Sequence, residues 1–454
     1  MSKFPIPNIN TRLGLHYFPD AVHYRAANLK NWLPELHALG VSWLTLHAPS
    51  DRAIPEAFLK GLLDQNIEPI LQFKMPIDDP QPLEDIITLF STYARWGVHY
   101  IVLFDRPNSR PAWSATDWTQ IDLVERFLDR YLPYAASALE AGLIPVFPPL
   151  EPGGDYWDTA FLKTSLQAIK RRGQREIIDN LIVGAYANAR QRPITWGRGG
   201  PQRWPKTQPY ISTSSTEDQC GFYIFDWYIP IIESATQKPA SLILFESGAQ
   251  LNENNSGNLT KLDLDDHTMR NLSLVEAVAS ENIKKSYLTK RKSSHTIIDP
   301  VPPQVISCNF WLLSAELNSP HIPNAWYKPD GTTLPIIEAV NKFVSENSIL
   351  PKHKYSYSTS SQKGNGKSIS HYLLLPSYEW GVVDWHLDLI KPFVKQHQPT
   401  IGFSLEEASK ATRVSVIGGI QAFSQDDLNI LKTAGCIVNR ISRDGTSIAT
   451  SLLI

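Results

Sequence analysis

Three apolar runs in this 454-residue chain end on carboxylates. YIVLFDRPNSRPAW leads into Asp105 and Arg106, SLILFESGAQ into Glu246, and PVFPPLEPGGDYW into Glu151 with Asp155 close behind. A carboxyl at the end of a buried run suits nucleophilic or acid–base work, because its surroundings set its proton affinity. Arg106 cannot release a proton at any working pH, but it can hold an anion or pair with a carboxylate. His16, His47 and Tyr186 also end apolar runs, and Gln72 and Lys74 end another. Each reads either as a ligand contact or as a satisfied hydrogen bond at a rim.

The runs belong to a regular alternation. Candidate strands are Leu13–Phe18, Val41–His47, Pro69–Phe73, Tyr100–Phe104, Ile144–Phe147, Leu181–Tyr186, Ser241–Phe245 and Val305–Leu312. Segments of helical period separate them, among them AIPEAFLKGLLDQN, PLEDIITLFSTYARWG and DTAFLKTSLQAIKRRGQREIIDN. Gly40, Gly97 and Gly142 each stand between a helix and the next strand, where a helix C-terminus needs a left-handed residue. Eight strand–helix units predict an α/β fold of the (β/α)8 TIM-barrel type over residues 1–350. No GxGxxG follows the first strand, which argues against an open doubly wound sheet. In such a barrel the carboxylates sit at the C-terminal ends of the strands, under loops that build the site. Trp196 and Trp204 lie on a long loop after the sixth strand and can stack on a ligand, whereas Trp227 reads as core.

On these positions the chain resembles the clan A glycoside hydrolases. Their barrels carry Asn-Glu-Pro at the end of strand four and a Glu at the end of strand seven, the acid/base and the nucleophile. Here Asp105 stands for the Asn and Arg106 for the catalytic Glu, while Pro107 and Asn108 match the extended motif and Trp113 a later aromatic. Glu246 takes the nucleophile's place, Tyr186 that of a residue touching it, and Trp311 in SCNFWLL that of an aromatic platform. NAWYKPDGTTLPIIEAV is similar to the stretch between their last strand and last helix.

The resemblance implies a carbohydrate-active barrel that takes an oligo- or polysaccharide. Its binding residues would be Arg106, Asn108, His16, His47, Tyr186, Trp196 and Trp311. Retaining hydrolysis needs two carboxyls about 5–5.5 Å apart, and Arg106 cannot be one of them. A substitute acid would be Glu151, Asp155 or Asp105, although Asp105 faces away from Arg106 on a regular strand. The alternative is a non-catalytic glycan-binding or scaffold protein in which Arg106 and Glu246 form a structural pair. An Arg in the groove suits an acidic sugar. A metal-dependent barrel of the amidohydrolase type is a remote third reading, since Leu15-His16-Tyr17 lacks the His-x-His it needs.

Residues 351–370 are Ser/Gly-rich and read as a flexible linker to a small α/β domain over 371–454. Its VIGG…FSQDDLNILKTAG…VNRISRDGTSIATSL text resembles the second half of a type 2 cell-wall-binding repeat, in one copy. That implies polymer binding, against a structural or oligomerising role. With 43 Lys+Arg, 45 Asp+Glu and a net charge of −2, the chain lacks the footprint of a nucleic-acid or anionic-membrane binder. Cys220, Cys308 and Cys436 show no disulfide or metal spacing, so no metal or cofactor is expected. The start has no apolar leader segment, and no run is long enough to span a membrane. The expectation is a soluble, cytoplasmic protein, with secretion left open if the start was processed.

Overall fold

The computed structural model describes residues 3–211, 215–251, 260–279, 298–347, 367, 369–376, 394, 399–417 and 423–441. Eight parallel strands close into a barrel: β1 Leu13–His16, β2 Trp43–His47, β3 Glu68–Phe73, β4 Tyr100–Leu103, β5 Ile144–Leu150, β6 Ile182–Asn188, β7 Leu242–Gly248 and β8 Val305–Phe310. β1 pairs with both β2 and β8, which leaves the barrel no open edge. Outer helices follow the strands, as the alternation requires. Leu83–Arg95 is typical, burying Ile86, Phe90 and Tyr93 along one stripe at helical spacing. Gly40, Gly97 and Gly142 adopt φ of 67°, 90° and 91°, so each helix stops where a left-handed residue turns the chain into its strand.

Two apolar layers hold the barrel. One lies between helices and strands. The other fills the interior with Trp43, Ile70, Tyr100, Ile182 and Ile243, and Phe4 packs into it beside Ile306. The polar strand ends therefore sit on a filled floor.

Among the elements that depart from expectation are β5, β8, the helix over 158–180, and the helix expected from His267, which begins at Lys261. β5 runs on through Pro148 and Pro149 to Leu150, with a register shift against β6 between Phe147 and Leu150. Prolines give no ladder donor, and an irregularity is where a sheet accepts them. The long helix expected over 158–180 is broken into Asp158–Arg171 and Arg175–Asp179, with Gly173 at φ 70° between them. β8 ends at Phe310, so Trp311 lies just past the strand rather than in it.

Contacts divide the chain into Met1–Pro351 and Lys352–Ile454. The second unit is a four-stranded parallel sheet in the order β10-β9-β11-β12, with β9 Ile369–Leu374, β10 Thr400–Gly402, β11 Ala411–Ile417 and β12 Ile437–Ile441. Tyr372, Leu374, Val414, Val416, Leu428 and Leu431 form its core. Apart from Val394, the helix expected over 384–398 lies outside the described residues, as do Gly418-Gly419, the text after 441 and most of the expected linker.

Candidate functional site

The C-terminal ends of β4 to β7 converge on one guanidinium. Arg106 donates from Nη2 to Glu246 Oε2 at 2.8 Å, from Nε to Glu151 Oε2 at 2.8 Å, and from Nη1 to Asp105 Oδ2 at 2.9 Å. Its guanidinium carbon lies 3.9 Å from the centre of the Tyr186 ring, whose hydroxyl donates to Asp105 Oδ1. Arg190 donates to the other oxygen of Glu151, and Lys74 Nζ stands 3.9 Å from Asp105. Two carboxylates held by one guanidinium have their facing oxygens within about 8 Å of each other, the span of the fork and two hydrogen bonds.

Local backbone explains why these side chains meet. β4 has ended at Leu103, and Phe104 and Arg106 adopt φ of 69° and 45°. Alternation is lost there, so Asp105 and Arg106 turn into the same cluster. This corrects the expectation that Asp105 faces away. The Arg106 N–H is anchored on the Pro149 carbonyl at 3.1 Å. Glu246 and Arg190 also have positive φ, 42° and 47°. Left-handed non-glycine residues cost on the order of 1–3 kcal/mol each and persist where the surroundings impose them. Three of the charged cluster members carry that strain.

His16 fixes Glu246 by accepting its backbone N–H on Nε2 at 2.9 Å. Burial, and then His47, Lys74 and Arg106, hold His16 well below the usual histidine range, so it is a neutral imidazole. Burial pushes His47 down to about 3. Burial raises the Glu246 carboxyl, with Arg106 and Lys74 opposing. Burial alone would lower Arg106, but Tyr186, Glu246, Asp105 and Glu151 carry it above its ordinary value.

Asn108 stands behind the cluster, fully buried. Its amide donates to the Glu151 and Tyr156 carbonyls and accepts from the Glu151 N–H, so it clamps the loop that presents Glu151. Asp155 accepts the Arg110 N–H at 2.8 Å and is not among the carboxylates that pair with Arg106. Trp113 lines the groove and donates to the Pro107 carbonyl. Trp311 is only 8% exposed, set edge-on against His16 and His321, and offers little open face. Trp196 donates to Asp218 under the Arg192 guanidinium, in a packing unit apart from the Arg106 cluster.

A groove of about 860 Å³ opens beside the cluster over the ends of β3 to β5. Lys74 and Arg106 line it against Asp78, Asp105, Glu151 and Asp155. Two cations against four carboxylates do not favour an acidic sugar, contrary to the expectation from Arg106 alone. Arg190 was not singled out from sequence; its signal was only its place two residues past the end of β6. Among the described residues no three His, Cys, Asp or Glu side chains converge as metal ligands, and no helix is long and apolar enough to cross a membrane.

The fold and site together define a (β/α)8 barrel with a carboxylate cluster at its C-terminal mouth. No family model and no curated protein matches the chain, and the cell-wall-binding resemblance gains no support. Among solved structures the chain is similar to a family 39 glycoside hydrolase from Bacteroides cellulosilyticus WH2, at 10% identity over 76% of this chain and 65% of that one, TM-score 0.44. It thus spans less than two thirds of that structure. It is also similar to a subgroup II GH128 endo-beta-1,3-glucanase from Sorangium cellulosum, at 14% identity over 72% and 97%, TM-score 0.37. A fructose-bisphosphate aldolase from Plasmodium falciparum is similar at 10% identity over 72% and 81%, TM-score 0.35. Likenesses this distant carry no argument about activity.

Proposed function

We propose that the barrel binds a neutral oligo- or polysaccharide in the groove and does not hydrolyse it by the two-carboxylate route. The observation that carries this is Arg106, which ties up Glu246, Glu151 and Asp105 together and falls where the resemblance would put the acid. A nucleophile engaged by a guanidinium attacks poorly, and no proton donor stands in the acid's place. The motifs ending β4 and β7 favour a carbohydrate over other ligands.

A second reading is hydrolysis with Glu246 as nucleophile and Glu151 as acid. It is favoured by one observation, that both carboxylates hydrogen-bond the same guanidinium, an arrangement whose upper limit of about 8 Å includes the retaining separation of about 5–5.5 Å.

Aryl glycosides with a nitrophenolate leaving group separate the two, because such a group departs without acid assistance. The wild type should show neither burst nor turnover across gluco-, galacto-, manno- and xylosides, while binding at least one matching oligosaccharide in calorimetry. Turnover that disappears in Glu246→Gln would replace the binding reading with the hydrolytic one.

A further inference from the structure

Hydrogen-bonding capacity is divided unevenly around the barrel mouth. In the Arg106 cluster the charged groups answer one another. Toward β1, β2 and β3 the opposite holds: His16 Nδ1, His47 Nε2 and both amide atoms of Gln72 are buried with no hydrogen-bond partner. His16 and Gln72 are each 1% exposed. The three residues end or nearly end consecutive strands, and His47 pairs in register with Gln72. A buried polar atom without a partner bears its full desolvation penalty, and several in one place call for an explanation. Beside them lies a pocket of about 330 Å³, lined by His47, Gln72, Lys74, Asp20 and Ser50, which meets the larger groove along Lys74 and Met75.

We infer that this pocket is a subsite for a neutral, hydroxyl-rich group of the ligand, read by Gln72 and His47; the inference rests on the carbohydrate reading of the groove. Turning the Gln72 amide into the pocket gives up no hydrogen bond. The amide supplies one donor group and one acceptor, and a hydroxyl answers both. His16 keeps Nε2 on the Glu246 N–H, so its Nδ1 carries the proton and has no partner for it. An anionic group would meet Lys74 but would set its oxygens against the Asp20 and Asp51 carboxylates, two acids against one cation.

The test is Gln72→Leu in the full chain, followed by thermal melting and by calorimetry with neutral gluco-, xylo- and manno-oligosaccharides. An amide held for the ligand is a burden to the free fold. The variant should therefore melt at the same or a higher temperature, while its affinity for the oligosaccharide bound by the wild type falls at least about tenfold. Should the variant not fold, Gln72→Asn keeps the amide but withdraws it by one methylene, and the same loss of affinity is expected. Unchanged affinity in a folded variant overturns the subsite and leaves glycan binding standing. A wild type that prefers glucuronide oligosaccharides to neutral ones overturns the neutral assignment. No glycan binding by the wild type overturns the subsite and the proposed function together.

Discussion

Arg106 holds together groups that would otherwise repel. Asp105, Glu151 and Glu246 are each less than a third exposed, and each takes one of its hydrogen bonds. Arg106→Met would leave three carboxylates facing one another. Removing one partner from a buried ion pair costs about 3–5 kcal/mol, and the partial exposure here places the loss near 3 kcal/mol. The loss should depend on pH. Burial already raises Glu246 against the pull of Arg106 and Lys74, and without Arg106 it rises further. A carboxyl raised in the folded state adds stability below its unfolded pKa and loses it as pH rises through the folded value. Denaturant unfolding of Arg106→Met should therefore recover part of the deficit between about pH 7 and about pH 5. An equal deficit at both would show that Glu246 does not feel the guanidinium. Arg106, Glu151 and Glu246 were legible in the sequence because each follows an apolar run. Arg190 was not, because its approach to Glu151 goes with a backbone turn at φ 47° that no local composition encodes.

Among the elements, the loop after β5 is the one that sets the groove. Asn108 ties its two ends, Glu151 and Tyr156, together, and Asp158 holds Gly153 from the first turn of the following helix. Asp158 is fully buried and accepts hydrogen bonds from the Gly153 N–H at 3.0 Å, Gln219 Nε2 at 2.5 Å and the Tyr228 hydroxyl at 2.9 Å. Burial pushes its pKa from the usual 3.8 up to about 6, with these hydrogen bonds opposing. Tyr228 and Cys220 beside it stay neutral over the same range, since burial raises Tyr228 and carries Cys220 to about 12. Asp158 therefore favours the fold fully below about pH 4 and ceases to do so as pH rises through about 6. Melting temperature should climb as pH falls from about 7 to about 5, and Asp158→Asn should flatten that climb. A variant with the wild-type slope would remove Asp158 as its source. Asn108→Ala should loosen the loop by about 2 kcal/mol, since the Glu151 N–H and the Tyr156 carbonyl lose their partner while the Glu151 carbonyl keeps the Gly154 N–H. Strand and helix order was legible because the two hydrophobic periods differ. The clamps were not, since Asp158 reads locally as an ordinary first-turn acid.

At the scale of the whole molecule, each of the two units has its own apolar core, so neither needs the other to bury one. The eightfold alternation made the first unit readable as a barrel, and the small parallel sheet was readable from the same alternation on a shorter text. What the alternation could not convey is where chemistry stops. Barrel closure between β1 and β8, the packing of Phe4 into the barrel interior, the Arg106 cluster and the pocket beside Gln72 all fall before Lys352. A chain ending at Pro351 should therefore fold with the circular dichroism of a (β/α)8 barrel. Its main melting transition should stay within about 3 °C of the parent's, since a domain of this size shifts only a few degrees per kcal/mol. It should also bind the same oligosaccharide with the same affinity. A folded chain of that length that no longer binds would mean that residues after Pro351 contribute to the ligand site, and the groove over β3 to β5 would then be only part of it.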